Sequence, residues 1–183
     1  MKQEKSSTKN AKLAPQASAT GEDDSAPMAA QIESERRRLR DLVASVPGVV
    51  WEAWGLPDEA SQRINFVSDH VEKMLGYTVE EWLQTPNFWL AIVHPEDREQ
   101  AAREAREKFD SRRGGVSYFR WMTKDGRAIP VAAHSVAILD RSGLPVGMRG
   151  VTMDVSGRKL AEEELERRAR QAALGADVGV ALA

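Results

Sequence analysis

Three runs of strand-forming residues joined by very short turns constrain this chain more than any other feature. They are Val116–Thr123, Ile129–Leu139 and Leu144–Val155. Lys124-Asp125-Gly126-Arg127 separates the first two, and Asp-Gly is a strong hairpin signal because the tight turn needs positive φ. Asp140-Arg141-Ser142-Gly143 separates the second and third. Parallel strands need a crossover of a dozen residues or more, so connections this short force an antiparallel meander. Pro130 and Pro145 lack the ladder N–H, which places each near a strand start or an edge.

Two further strand runs lie upstream. Val49-Val50-Trp51-Glu52-Ala53-Trp54 is one, and Arg63-Ile64-Asn65-Phe66-Val67, alternating with period two, is the other. Gly55, Pro57 and Asp58 supply turn chemistry between them. Residues 69–110 change to helical spacing. Ser68 or Asp69 is placed to cap a short helix carrying Val71, Met74 and Leu75, and Gly76 ends it. Thr78-Val79-Glu80-Glu81 fits a capping box ahead of Trp82 and Leu83. Phe88, Trp89, Ile92 and Val93 form a third apolar cluster. Pro95 suits the first position of a helix running to about Phe109, with Glu96 and Asp97 on its positive end. Two strands, several short helices and three strands imply one α+β layer fold. It is a five-stranded antiparallel sheet with the helices on one face.

The ends read differently. Residues 1–28 are rich in Lys, Ser, Ala, Gln and Asp, which offers too little apolar surface to offset ordering entropy, so a disordered tail is expected. Residues 29–46 place Ile32, Leu39, Val43 and Val46 on one helix stripe, and Pro47-Gly48 stop it. Residues 156–175 form a second helix with Glu163–Arg167, Glu164–Arg168 and Glu166–Arg170 pairs, ended by Gly175. Residues 176–183 read as an apolar start that is not completed. Both helices carry polar residues at seam positions, such as Glu35, Arg36 and Arg168. Weak seams of this kind suit a switchable homodimer through the flanking helices.

Composition narrows the chemistry. The chain has 183 residues, a formal net charge of −2 and no cysteine. Disulfides, thiolate zinc sites, iron–sulfur clusters and cysteine nucleophiles are excluded. The near-neutral charge opposes nucleic-acid binding. No apolar run approaches the ~18 residues of a membrane span, and the N-terminus lacks the apolar region of a signal peptide. A cytoplasmic protein with no nucleic-acid and no membrane partner is expected. His94-Pro95-Glu96-Asp97 reads as a helix N-terminus, because three such consecutive ligands rarely converge on one metal. His70 and His134 lie far away, and no metalloprotease, P-loop or dinucleotide motif occurs. None of the three histidines has a phosphoacceptor pattern, and no nucleotide lobe follows. The chain is therefore expected not to be an enzyme, with no catalytic and no metal residues.

Several stretches, in order, carry a family resemblance. They are Pro47-Gly48-Val49-Val50-Trp51-Glu52, Phe66-Val67-Ser68, Met74-Leu75-Gly76-Tyr77-Thr78-Val79-Glu80-Glu81-Trp82 and His94-Pro95-Glu96-Asp97-Arg98. Tyr118-Phe119-Arg120 ahead of Lys124-Asp125-Gly126, and Gly150-Val151-Thr152-Met153-Asp154-Val155-Ser156-Gly157-Arg158-Lys159, complete the set. Together, positions 47–155 resemble a PAS domain of bacterial sensor histidine kinases. The resemblance implies a sensory and signal-transduction module of a two-component system, flanked by signalling helices. A kinase or GAF module is the implied downstream partner. Arg170–Leu182 looks like a GAF lead-in. The flavin and photoactive yellow protein versions of the fold need a cysteine, which is absent. Haem needs an axial His in the long helix, and residues 95–109 contain none. The cofactor is left unknown, with non-covalent FAD or a small metabolite open.

Trp51, Phe66, Trp82, Trp89, Phe119 and Trp121 either fill the core or line a ligand pocket. Candidate pocket walls are Trp51, Phe66, Leu75, Ile92, Phe119, Ile138 and Met148. Asp154 and Ser156 match the family's Asp-x-Ser/Thr motif. An acid and a hydroxyl there can cap the following helix, and the same bonds can serve as a signal relay. The alternative to a sensor is a ligand-free structural dimerisation module.

Overall fold

The computed structural model describes residues 25–180. Their contacts fall into two units with the boundary between Arg37 and Arg38. The first contributes residues 25–37, which are helical throughout. The second holds the rest of that helix, α1 (Ser25–Ala44), and every other element. The strands are β1 (Val49–Trp54), β2 (Arg63–Val67), β3 (Gly115–Met122), β4 (Ala128–Leu139) and β5 (Pro145–Asp154). Between β2 and β3 come α2 (His70–Leu75), α3 (Val79–Gln84), α4 (Phe88–Ala91) and α5 (Arg98–Ser111), and α6 (Ser156–Val180) follows β5. Among the described residues no helix is long and apolar enough to cross a membrane.

The sheet has the order β2-β1-β5-β4-β3, antiparallel throughout. The meander places β3, β4 and β5 side by side, and β1 closes onto β5. Strand alternation sends Val49 and Ala53 of β1, Phe119 and Trp121 of β3, Ile129, Val131 and Ala133 of β4, and Met148 and Thr152 of β5 inward. The short helices cover this face with Val71, Leu75, Trp82, Ile92, Val93 and Ala101. Trp82 stands edge-on to Trp121 at 5.5 Å, and Phe119 to Trp121 at 5.8 Å. Such pairs add about 0.5–1.5 kcal/mol each beyond area burial.

Local signals fix the helix ends. The Thr78 hydroxyl accepts the Glu81 N–H at 3.1 Å, and the Glu81 carboxylate accepts the Thr78 N–H at 2.8 Å. Gly76 closes α2 at φ 81°, where a side chain would be strained. The β3–β4 hairpin is tied back to the helices: Lys124 N–H donates to the Leu75 carbonyl at 2.8 Å, and Met122 N–H to that of Ile92 at 2.7 Å.

Four boundaries differ from the sequence reading. α1 starts at Ser25, so residues 25–28 belong to a helix rather than a tail, while residues 1–24 lie outside the described residues. It ends at Ala44, ahead of Val46. α5 starts at Arg98, not Pro95: residues 95–97 form a turn closed by Asp97 N–H donating to the His94 carbonyl at 2.9 Å, and Asp97 takes the N-cap position with its carboxylate on Arg120. α6 passes through Gly175 to Val180, so the separate segment expected from 176 is helical as far as it is described, as is the GAF-like stretch from Arg170. In α6, Arg167 pairs with Glu164 rather than Glu163, while Glu164–Arg168 and Glu166–Arg170 form as spaced.

Trp121 is 2% exposed at the centre of the aromatic cluster. Trp121→Ala should lower unfolding stability by about 3–5 kcal/mol in urea melts. Leu83→Ala, on the exposed side of α3, should cost less than about 1 kcal/mol. Equal losses would contradict this core.

Candidate functional site: a cavity joined to the exit helix

The middle of the inner sheet face carries small side chains. Ser117, Ala133 and Thr152 stand in one row across β3, β4 and β5. α5 faces the sheet with Ala101 and Ala105. Small residues opposed to small residues leave a gap that close packing cannot fill. A cavity of about 50 Å³ opens there, walled by Trp51, Trp82, Trp89, Phe119, Trp121 and Met148.

Its polar groups sit in defined bonds. Trp51 Nε1–H donates to Thr152 Oγ1 at 3.0 Å, and Trp89 Nε1–H donates to Gln62 Oε1 at 2.8 Å. An indole N–H only donates, so the Gln62 amide must turn its oxygen to Trp89 and its NH₂ away. Trp121 Nε1–H donates to the Trp89 carbonyl at 3.2 Å. The Trp82 indole N–H is buried without a partner among the described residues. Lys108 Nζ donates to the Ser117 hydroxyl, with Glu104 at 3.6 Å from the ammonium. Among the described residues no charged side chain lines the cavity itself.

Three of the seven expected walls, Trp51, Phe119 and Met148, line this cavity. Leu75 and Ile92 are buried in the core but are not cavity walls; their carbonyls anchor the β3–β4 hairpin instead. Phe66 and Ile138 are corrections of face. A bulge in β2 pairs Glu52 with Phe66 and Ala53 with Ile64, so Asn65 is the extra residue. Ile64 and Val67 then point inward, and Phe66 is 42% exposed on the outer face. Ile138 lies an odd number of residues from the inward Ile129 and Val131, so alternation turns it outward. The small residues Ala53, Ala101, Ala105, Ser117, Ala133 and Ser135, with Gln62 and Thr152, were missed. Their signal is a row of small side chains at inward positions, which becomes visible only once the register is known.

Strand β5 connects the cavity to α6. Met148 and Thr152 are walls, and Asp154 follows two residues later. Asp154 Oδ1 accepts the Ser156 N–H at 2.7 Å, and Val155 N–H donates to the Pro130 carbonyl of β4 at 3.0 Å. The acid of the Asp-x-Ser pair therefore caps α6. The Ser156 hydroxyl makes no hydrogen bond among the described residues, so Ser156 contributes its backbone. Arg158 lies over the Tyr118 ring of β3 at 5.8 Å, a second link between sheet and helix.

The His94–Asp97 loop is held by an ion pair. Arg120 donates from its backbone N–H and Nε to Asp97 Oδ2, both at 2.8 Å, and from Nη2 to Asp97 Oδ1 at 2.6 Å and Glu96 Oε2 at 2.8 Å. Ligating atoms of His94, Glu96 and Asp97 come within 4.8 Å of one another. The guanidinium already occupies both carboxylates, so a metal would have to displace it. The arrangement is a clamp between this loop and β3. Hydrogen bonds from Arg120 hold the Asp97 carboxyl down at about 2 against an ordinary 3.8.

That depression fixes the sign of a pH effect. Asp97 contributes stability above its unfolded value near 3.8, and the contribution is lost as pH falls through about 2. With the side chain 23% exposed, it amounts to about 1–2 kcal/mol at neutral pH. Asp97→Asn should lower stability by that order at pH 7 and flatten the loss between about pH 4 and pH 2 in urea titrations. An unchanged acid profile would contradict the clamp.

Residues 64–152 match the family model described as the PAS fold. A methyl sulfide methyltransferase-associated sensor of Methanosarcina acetivorans is 26% identical over 138 residues, which is 75% of this chain and 13% of that protein. This chain thus spans about an eighth of that relative. The N-terminal domain of a diguanylate cyclase with PAS/PAC sensor from Marinobacter aquaeolei superposes with a TM-score of 0.55 at 18% identity, covering 61% of this chain and 98% of that one. A sensory box histidine kinase/response regulator from Burkholderia thailandensis gives 0.54 at 22% identity, covering 73% and 96%. These two likenesses concern the fold. The five-stranded sheet, its covering helices and the matched sequence agree, and residues 64–152 of this chain adopt a PAS-like fold.

Proposed function

We propose that this chain is the sensory input module of a larger signalling protein, of the two-component sensor kinase type. A ligand or partner signal is received at the cavity and relayed through α6. One observation carries this reading: Thr152 of the cavity wall and Asp154 of the α6 cap are two residues apart on the same strand. A displacement of the wall at Thr152 has a short covalent path along β5 to the cap.

The output side rests on the exposed helices. Leu160 and Leu165 of α6 are each 65% exposed, and Ile32, Leu39 and Leu42 of α1 are exposed as well. Such apolar positions suit pairing in a homodimer, followed by a downstream kinase or GAF module. The module works in the cytoplasm and transfers no phosphate itself. His70 opens the short α2, His94 lies in a loop and His134 lies on β4, so none sits on a long dimerising helix.

The test is Asp154→Ala in the full-length sensor. Loss of the cap should cost about 0.5–2 kcal/mol of stability. Downstream output should become independent of the signal while the cavity still takes up its ligand. An unaltered signal response would remove the relay. A core that never takes up a small molecule would favour the ligand-free dimerisation module.

A further inference from the structure

The walls of the cavity limit what it can hold. About 10–15 Å³ of such space is needed for one water-sized occupant. The cavity's 50 Å³ therefore takes roughly four non-hydrogen atoms. Flavins and haem are far larger, and even a benzene ring overfills it. Charge is limited too. The Lys108 ammonium is bound to the Ser117 hydroxyl with Glu104 beside it, and among the described residues no charged side chain lines the cavity to meet an ionic ligand. An isolated ion moved into such walls loses its hydration with nothing in return. Among the described residues several polar groups of the walls remain open: the Trp82 indole N–H has no partner, the Ser135 hydroxyl makes no hydrogen bond, and the Thr152 hydroxyl accepts from Trp51 without donating. Gln62 gives its oxygen to Trp89, and its Nε2 makes no hydrogen bond among the described residues. It is thus a donor for a small acceptor atom.

We infer that the cavity binds an uncharged molecule of about four non-hydrogen atoms or fewer, mostly apolar, with no more than one or two polar atoms. Short ketones, ethers, thioethers and dissolved gases belong to this class. Organic anions, nucleotides and flavins do not. This rests on reading the cavity as a ligand site, and it adds which chemistry the site accepts.

Four of the chain's five tryptophans line the cavity, so their indole N–H resonances report directly on its contents. The full 183-residue chain, labelled with nitrogen-15, is titrated with xenon, acetone, acetate, benzene and FMN. Acetone and acetate share one size and shape and differ in charge. Xenon and acetone should shift the cavity indoles saturably. Acetate should bind at least about a hundredfold more weakly, and benzene and FMN should give no saturable shift. Ala105→Leu should fill the space and abolish the acetone shift. Ala105→Val, a smaller intrusion, should weaken it several-fold should the leucine variant fail to fold. Acetate matching acetone, or saturable binding of benzene or FMN, would overturn the size and charge limits while leaving the cavity a ligand site. No shift with xenon or acetone would overturn both the limits and the site.

Discussion

Strand β5 is the constraint on which the rest of the structure depends. It is hydrogen-bonded to β1 on one edge and to β4 on the other for nearly its whole length. It has no freedom to move alone. Its inner face supplies Met148 and Thr152 to the cavity, and its end supplies Asp154 to the first turn of α6. Its glycines allow this position. A Cβ on Gly147 would lie 2.5 Å from the Ala53 carbonyl, and one on Gly150 would come closer still to that of His134. A side chain at either place would push the neighbouring strands apart. The same strand therefore closes the sheet, walls the cavity and starts the helix that leaves the domain.

Around β5 the core is divided into a filled part and a hollow part. The filled part is aromatic. Trp82, Phe88, Phe119 and Trp121 meet edge to face, and their size leaves little slack. The hollow part begins where the row Ser117–Ala133–Thr152 meets Ala101 and Ala105. The tryptophans stiffen the cavity by bonding across it: Trp51 to Thr152 and Trp89 to Gln62. The Arg120–Asp97 clamp adds rigidity where α5 begins, so the helix over the cavity is fixed at that end.

Much of the fold was legible because its signals are local. The Thr78–Glu81 capping box, Gly76 and the Lys124–Arg127 turn each act within a few residues, and each lies where the spacing put it. The start of α5 was not: residues 95–97 form a turn, and the Asp97 carboxylate goes to Arg120, which lies on β3. The cavity was legible only in part. Trp51, Phe119 and Met148 follow from strand alternation. Phe66 fails because the bulge at Asn65 cannot be seen in a strand that alternates so cleanly. Ile138 fails for a simpler reason, since counting from Ile129 already places it outward. Leu75 and Ile92 show that a buried apolar residue need not face the hollow. The hollow itself is made by alanines and serines, which carry no sequence signal until the register sets them side by side.

The central claim is that the contents of the cavity reach α6 through β5. Amide hydrogen exchange of the full chain, with and without xenon under pressure, measures this most directly. Occupying the cavity should change the exchange rates of the Thr152–Lys159 amides by about threefold or more, while those of α2 (His70–Leu75), which contributes no cavity wall, stay constant. Xenon that demonstrably enters the cavity yet leaves the Thr152–Lys159 rates unchanged would contradict the account.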